Sequence, residues 1–129
     1  MASIHVNGID LYYEVHGSGM PLVMLHGNGE DHTTFSTLCA ALQDRFQIFL
    51  FDTRGHGKST PVSEYHYSDM AQDMTEALIQ LFDGPIDLLG FSDGGIIALF
   101  LAIWYPQLVR RMILCGANYH PYGIKEEGR

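Results

Sequence analysis

The chain of 129 residues carries 7 basic and 15 acidic side chains, which gives a formal net charge of −8. Hydrophobic residues make up 47% of the chain and charged residues 17%, which excludes a disordered tail and predicts one compact domain over 1–129. The acidic balance argues against a nucleic-acid binder, because affinity for a phosphate backbone depends on clustered Lys and Arg.

Membrane and secretory signals are not expected either. The longest apolar run, 96–105, has ten residues, whereas a membrane helix requires about 20. The first residues lack the basic and apolar segments of a signal peptide. Cys39 and Cys115 lie in apolar stretches, and we expect both to be buried thiols rather than a disulfide. These features predict a cytoplasmic protein.

The chain begins with a pattern typical of a β-hairpin. Apolar and polar residues alternate on both sides of Asn7-Gly8, a dipeptide suited to a tight turn with positive φ. Four short apolar runs follow, at 22–25, 48–51, 86–89 (interrupted only by Asp87) and 112–115. Because runs of this kind suit strands buried on both faces, they predict a parallel sheet with helices on each side.

The first and third helical segments lie between these strands. Apolar residues at Phe35, Leu38, Cys39 and Leu42 follow one face of the first helix. The third segment, 94–105, is apolar all round, as expected of a helix buried in a larger protein.

The second helical segment keeps its apolar period for four turns from Tyr67 to Phe82. We expect Ser68 to cap its N-terminus and Gly84-Pro85 to stop it. Two methionines face the core and three acidic residues form a solvated face that is not a paired-carboxylate site. These residues are Met70, Met74, Asp69, Asp73 and Glu76.

The order of elements defines the expected fold class. A hairpin is followed by strands and helices in alternation, which predicts an α/β fold. It has a mostly parallel sheet, right-handed crossovers and an N-terminal antiparallel hairpin.

The sharpest functional motif is Gly90-Phe91-Ser92-Asp93-Gly94, a G-x-S-x-G pentapeptide between a strand and a helix. A serine at such a turn is forced toward positive φ, which holds its hydroxyl above the sheet. Glycine is required at 90 and 94 because side chains there would collide, and Gly95 eases the helix packing. The helix N-terminus offers N–H groups to a developing oxyanion.

A second motif, His26-Gly27-Asn28-Gly29, follows the strand 22–25. A turn here can aim the N–H of Asn28 at the same point as the N–H of Asp93, which gives a two-donor oxyanion hole. A dinucleotide-binding unit is an alternative, with Gly27 and Gly29 at the phosphates and Asp52 closing the next strand. Against it, His32 occupies the position of the third glycine.

A third motif, 52–59, follows the strand 48–51 and contains two glycines. Its residue types suit catalysis or phosphate binding, but a structural loop is the favoured interpretation. In that interpretation Asp52, Arg54 and Ser59 fix the loop by hydrogen bonds, and His56 has a structural role.

These three motifs in this order resemble the α/β-hydrolase superfamily, in particular its serine esterase and aminopeptidase-like members. The resemblance covers the chain from the hairpin to about Tyr119. It implies that Ser92 is the nucleophile and that the N–H groups of Asn28 and Asp93 form the oxyanion hole. A dehalogenase or an epoxide hydrolase of this fold would carry Asp at position 92, so those branches are disfavoured.

The resemblance also implies a catalytic acid and a histidine after the nucleophile. Only 37 residues follow Ser92 and they contain one histidine, His120. We therefore expect a partial hydrolase domain, truncated after its sixth strand, that lacks the cap, the last strands and both other triad members. Glu126 and Glu127 are the only acids that could orient His120.

The expected function is hydrolysis of a small ester or related acyl substrate through an acyl-serine, with no cofactor, no metal, and little turnover by this chain alone. The seven histidines form no pattern with metal-ligand spacing. A non-catalytic fragment or pseudoenzyme is the second hypothesis. The strand 112–115 is expected to form an exposed apolar edge through which the chain self-associates.

Overall fold

The sheet has six strands and is flanked by three α-helices in the computed structural model, which describes residues 2–116. The strands are β1 (Ala2–Val6), β2 (Ile9–His16), β3 (Met20–Leu25), β4 (Phe46–Phe51), β5 (Ile86–Phe91) and β6 (Val109–Cys115). The α-helices are α1 (Ser36–Leu42), α2 (Tyr67–Leu81) and α3 (Asp93–Trp104), and short 3-10 helices cover His32–Phe35 and Pro106–Leu108.

The strand order is β1-β2-β4-β3-β5-β6. β1 pairs with β2 and β2 with β4 in antiparallel register, whereas β4, β3, β5 and β6 are parallel. The β1–β2 turn places Asn7 at φ 49° and Gly8 at φ 82°. These observations confirm the predicted α/β class, the hairpin and the four parallel strands.

One face of the sheet is closed by α2 and α3, and we call it the closed face. A single apolar cluster joins both helices to the inward side chains of β2 to β5. Its largest fully buried members are Phe51, Leu11, Leu25, Met74, Leu78, Leu88, Ile97 and Leu101. Met70 and Met74 face this core, as predicted.

Within residues 2–116, α1 is the only α-helix on the opposite face, which we call the open face. Its smaller cluster centres on Cys39 of α1 and the side chains of β3 and β4 beneath it. Leu89 of β5 joins this cluster, but Leu38 of α1 is 37% exposed, so the predicted apolar face of α1 is only partly covered. Ile113 of β6 is 55% exposed on the same side of the sheet.

The predicted Ser68 cap is wrong. The N–H of Met70 donates to the carbonyl oxygen of His66 at 3.0 Å, so the helix already begins at Tyr67. Ser68 therefore lies inside the first turn, and the N-cap residue His66 makes no side-chain capping bond. The helix ends at Leu81, before the predicted Gly84-Pro85 stop.

The predicted solvated face of α2 is wrong for Asp73. Asp69 is exposed, but Asp73 is buried at 1% exposure. Its carboxylate accepts hydrogen bonds from Arg54 Nε at 2.6 Å and Nη2 at 2.9 Å. The Asn7 amide donates to the same carboxylate at 3.1 Å. A loop and the hairpin thus converge on this helix from distant parts of the chain.

Two expectations of burial also fail. Cys39 is buried but Cys115 is exposed. The side chains of β6 that point to the open face, Arg111, Ile113 and Cys115, are all exposed among the described residues. The helix α3 is apolar all round, yet its last residues Ile103 and Trp104 are exposed among the described residues. Within residues 2–116, no helix combines the length and the apolar character that a membrane crossing requires.

Candidate active site

Ser92 lies between β5 and α3 with a left-handed backbone, at φ 56° and ψ −117°. Its N–H donates to the carbonyl oxygen of Cys115 at 2.8 Å, and its own carbonyl accepts the N–H of Gly95 at 2.9 Å. The turn is therefore anchored to the end of β6 on one side and to the first turn of α3 on the other. A non-glycine residue held in this conformation is strained, and such strain clusters at functional sites.

The glycines around Ser92 are required by close backbone contacts. A Cβ on Gly90 would lie 2.5 Å from the carbonyl oxygen of Gly94 and 2.6 Å from the Cα of Gly95. A Cβ on Gly94 would lie 2.1 Å from the carbonyl oxygen of Leu25, at the end of β3. Only glycine at 90 and 94 lets α3 start this close to the sheet.

The turn 27–30 after β3 lies beside Ser92. A Cβ placed on Gly27 would lie 3.2 Å from the Cβ of Ser92. The turn is closed twice: the N–H of Glu30 donates to Gly27 O at 3.2 Å, and the N–H of Gly27 donates to Glu30 Oε1 at 2.9 Å. These two bonds fix the backbone that carries Asn28.

A cavity of about 380 Å³ adjoins this turn. Asn28 and Asp93 both contribute to its wall, together with aromatic side chains that include Tyr65, Tyr67 and Phe100. As the first residue of α3, Asp93 has an N–H with no acceptor inside the helix. The cavity wall therefore combines aromatic side chains with polar ones, and the N-terminus of α3 lies at its edge.

His26 is buried and bonded through both ring nitrogens. Its Nδ1–H donates to Gly27 O at 2.7 Å, and its Nε2 accepts the N–H of Thr53 at 3.1 Å. Burial lowers the pKa of His26 below its usual value, which keeps the ring neutral and Nε2 able to accept. His26 thus ties the turn after β3 to the loop after β4.

His56 makes a similar connection from the loop after β4. Its Nε2 accepts the N–H of Gly29 at 3.0 Å and its Nδ1–H donates to Arg54 O at 3.0 Å. The hydroxyl of Tyr65 donates to Asn28 Oδ1 at 2.6 Å. Both ring nitrogens of His56 are engaged with the backbone, so neither is presented to Ser92.

Asp52 is fully buried and holds the start of the same loop. Its Oδ1 accepts the N–H of His32 at 2.7 Å and lies 2.9 Å from His32 Nδ1, and its Oδ2 accepts the N–H of Lys58 at 2.9 Å. The carboxylate is thus not available to a ribose hydroxyl, which argues against the dinucleotide-binding alternative.

The described residues contain one cluster of metal-ligand type, formed by Asp31, His32 and Asp52 with atoms within 4.8 Å of one another. Hydrogen bonds account for this arrangement. Asp31 Oδ1 accepts the N–H of Thr33 at 2.9 Å and caps the 3-10 helix, while Asp52 bonds His32.

Two contributors to the site escaped the sequence-based predictions. Glu30 closes the turn 27–30 by accepting the N–H of Gly27, three residues earlier. The acid of a capping box makes a similar bond, but Gly27 has no capping side chain and no helix begins there, so the sequence offered no signal for it. Asp73 anchors Arg54 and so the loop that carries His56, but no local pattern distinguishes it from an exposed acid. His120, Glu126 and Glu127 lie outside the described residues.

Comparison with known proteins identifies the family. A family model described as the alpha/beta hydrolase fold matches residues 20–127. The chain belongs to the α/β-hydrolase family.

Individual relatives agree with this assignment. The mouse protein named serine hydrolase BPHL is 34% identical over 99% of this chain and 46% of its own length. An esterase from Exiguobacterium antarcticum is 38% identical with a TM-score of 0.81, over 87% of this chain and 43% of that one. An epoxide hydrolase from Bacillus megaterium shares the fold at 23% identity and a TM-score of 0.86, over 97% of this chain and 45% of that one.

The chain spans less than half the length of the mouse relative and of these two structures.

Proposed function

We propose that Ser92 is the nucleophile of a serine hydrolase that acts on a carboxylic ester or a related acyl bond. The observation that carries this proposal is the strained, left-handed Ser92 at the β5–α3 turn, beside the doubly closed turn 27–30. A hydroxyl presented in this way at a helix N-terminus is the arrangement of a nucleophile elbow.

In the proposed reaction, Ser92 Oγ attacks the acyl carbon and gives its proton to a base. The N–H groups of Asn28 and Asp93 donate to the oxygen that becomes negative. The bond to the leaving alcohol then breaks, the alcohol takes up the proton, and an acyl-serine remains. Water releases the acid in the same manner and restores Ser92.

The main competing reaction is epoxide opening, in which members of the family use a carboxylate as the nucleophile. Position 92 carries a hydroxyl, and the adjacent Asp93 is the first residue of α3. We therefore favour ester chemistry over epoxide opening.

A fluorophosphonate probe tests the nucleophile directly, because it transfers its phosphonyl group to an activated serine with loss of fluoride. We expect slow labelling of Ser92, identified by mass spectrometry of the digested chain. The matched controls are Ser92→Ala, which should abolish labelling, and Ser63→Ala on an exposed loop, which should leave it unchanged. Labelling that persists in Ser92→Ala would contradict the proposal.

The second candidate is a non-catalytic fragment or pseudoenzyme, which is favoured by the bonding of the described histidines near Ser92. His26 and His56 have both ring nitrogens engaged elsewhere. Loss of a triad base lowers turnover by about 10⁶. We therefore expect near-background hydrolysis of p-nitrophenyl acetate by this chain and by its His120→Ala variant. A substantial rate that collapses in His120→Ala would instead show a self-sufficient hydrolase.

A further inference from the structure

The dipeptide Asn-Gly occurs twice in the chain, at Asn7-Gly8 and at Asn28-Gly29. Both pairs are exposed, and both glycines have a positive φ, of 82° at Gly8 and 78° at Gly29. An asparagine before glycine can lose its side-chain amide, because the next main-chain nitrogen is not shielded by a Cβ and can attack the amide carbon. The two pairs are alike in sequence and exposure, and they differ in the groups that surround them.

A base contacts the attacking nitrogen at Asn28-Gly29. The N–H of Gly29 donates to His56 Nε2 at 3.0 Å. The Nδ1–H of the same ring donates to Arg54 O at 3.0 Å, which keeps Nε2 as the nitrogen that accepts a proton. The ring is 6% exposed, so the surrounding residues hold it in this position. A base that a third group orients is the arrangement required for general-base catalysis.

Two groups contact the amide oxygen that becomes negative during the attack. The hydroxyl of Tyr65 donates to Asn28 Oδ1 at 2.6 Å. His56 Nε2 lies 3.3 Å from the same oxygen. The lone pairs of these two atoms repel each other, but the contact becomes attractive once Nε2 has taken the proton of Gly29. The arrangement therefore stabilises the transition state more than the starting amide.

The surroundings of Asn7-Gly8 are different. The Asn7 amide donates to Asp73 Oδ1 at 3.1 Å, which places a carboxylate beside the group that would become negative. His5, the nearest histidine in the chain, has its Nδ1 2.8 Å from Asp10 Oδ1, so this nitrogen is engaged with a carboxylate. Neither feature assists attack by the nitrogen of Gly8, and the first opposes it.

We propose that Asn28-Gly29 is a site of self-catalysed modification, at which Asn28 is converted to aspartate and isoaspartate. Gly29 N bonds to Asn28 Cγ while His56 Nε2 takes the proton from that nitrogen. The proton then passes to the side-chain nitrogen, the bond from Cγ to this nitrogen breaks, and ammonia leaves behind a cyclic imide. Water opens the imide: attack at Cγ gives aspartate, and attack at the main-chain carbonyl carbon gives isoaspartate. Water is the only co-reactant, and it reaches the site because both residues are exposed.

The modification alters the proposed oxyanion hole, and this consequence alone rests on the proposed function. Isoaspartate adds a methylene group to the main chain directly after the N–H of residue 28. Either product also adds a carboxylate to the turn 27–30, where it repels the negative oxygen of a reacting substrate. Slow modification would therefore lower the reactivity of Ser92 irreversibly.

The test incubates the 129-residue chain at neutral pH and follows both asparagines by mass spectrometry of the digested chain. We expect Asn28 to lose its amide about a hundredfold faster than Asn7, since a positioned general base contributes about this factor. In the urea-unfolded chain the two rates should be similar, because the dipeptides are identical. Isoaspartate at position 28 distinguishes the imide route from direct hydrolysis of the side-chain amide.

Two variants test the assisting groups. Tyr65→Phe keeps the ring but removes the donor, and should slow the reaction of Asn28 about tenfold. Its matched control is Tyr105→Phe, on a half-buried tyrosine beyond the far end of α3, which should change nothing. His56→Gln can still accept the N–H of Gly29 but is not a base, and should slow the reaction about a hundredfold.

The opposite results are equally clear. Asn28 reacting no faster than Asn7 in the folded chain would overturn the proposal, as would formation of aspartate without isoaspartate. Rates at Asn28 that stay unchanged or rise in Tyr65→Phe and His56→Gln would show that these bonds protect the amide, which also overturns it. Ser92→Ala should modify Asn28 at the wild-type rate, so the outcome is separate from that of the proposed nucleophile.

Discussion

The two faces of the sheet carry similar apolar patterns in the sequence but are covered very differently. On the closed face, α2 and α3 supply 27 helical residues over one continuous core. On the open face, the seven residues of α1 cover β3 and β4, and the side chains of β6 that point to this face remain exposed. An apolar strand therefore indicates that its side chains need to be packed against other elements. Only the three-dimensional structure shows whether such elements are present on each face.

Each face also carries one Asp–Arg cluster. The cluster on the closed face is more buried than the cluster on the open face. Asp73 and Arg54 have side chains that are only 2% and 17% exposed. Asp87 is buried, but its partners Arg110 and Arg111 are 39% and 67% exposed. Because solvent screens the second cluster, we expect the first to contribute more to stability.

The largest effect should come from Asp73→Ala. This change leaves the mostly buried guanidinium of Arg54 without its carboxylate, and such losses cost about 3–5 kcal/mol. We expect the free energy of unfolding in urea to fall by about that amount. Asp69→Ala, at an exposed position one turn earlier in the same helix, should change it by less than about 0.5 kcal/mol. Similar losses for both variants would show that burial of Asp73 is not stabilising.

The next effect concerns core packing. Leu101→Ala on α3 removes a fully buried side chain of the closed face and should cost about 2–5 kcal/mol. Ile113→Ala on the open face removes a side chain that is 55% exposed. We expect its cost to stay below about 1 kcal/mol in the same urea experiment. Equal costs would mean that the open face is covered in solution.

The smallest effect is a pH dependence from Asp87. The hydrogen bonds from Arg110, and then from Arg111, hold the pKa of the Asp87 carboxyl below its usual value. A lowered folded-state pKa contributes stability above the unfolded value of about 4, and this is lost as pH falls through the folded pKa. We expect Asp87→Asn to be less stable at pH 7, and the difference from the wild type to narrow below pH of about 4. A constant difference between pH 7 and pH 3 would contradict this assignment.

Much of the fold was predictable because its signals are local. Strands buried on both faces favour nearly continuous apolar runs, and the hairpin favours a dipeptide such as Asn7-Gly8 that tolerates positive φ. The G-x-S-x-G motif is local at Gly90, where a Cβ would collide with Gly94 and Gly95 of the same turn. At Gly94 the collision is with Leu25 of β3, so the requirement there depends on a distant strand, although the motif itself is read from five consecutive residues.

The errors concern properties that depend on distant parts of the chain. Asp73 is polar in a helical pattern, and its burial depends on Arg54 and Asn7, which are 19 and 66 residues away. Cys115 lies in an apolar run, and its exposure depends on what covers β6. Ser68 has the residue type of a cap, but the backbone bond of Met70 to His66 starts the helix earlier.

The left-handed backbone of Ser92 lowers the stability of the folded chain, whereas the proposed chemistry requires a serine in that conformation. Strain of this kind costs about 1–3 kcal/mol in the folded state. Glycine adopts the same backbone without that strain, and it removes the hydroxyl. Selection for stability alone therefore acts against serine at this position. The proposed nucleophilic role of Ser92 would supply the reason for serine to be kept at this position in spite of that cost.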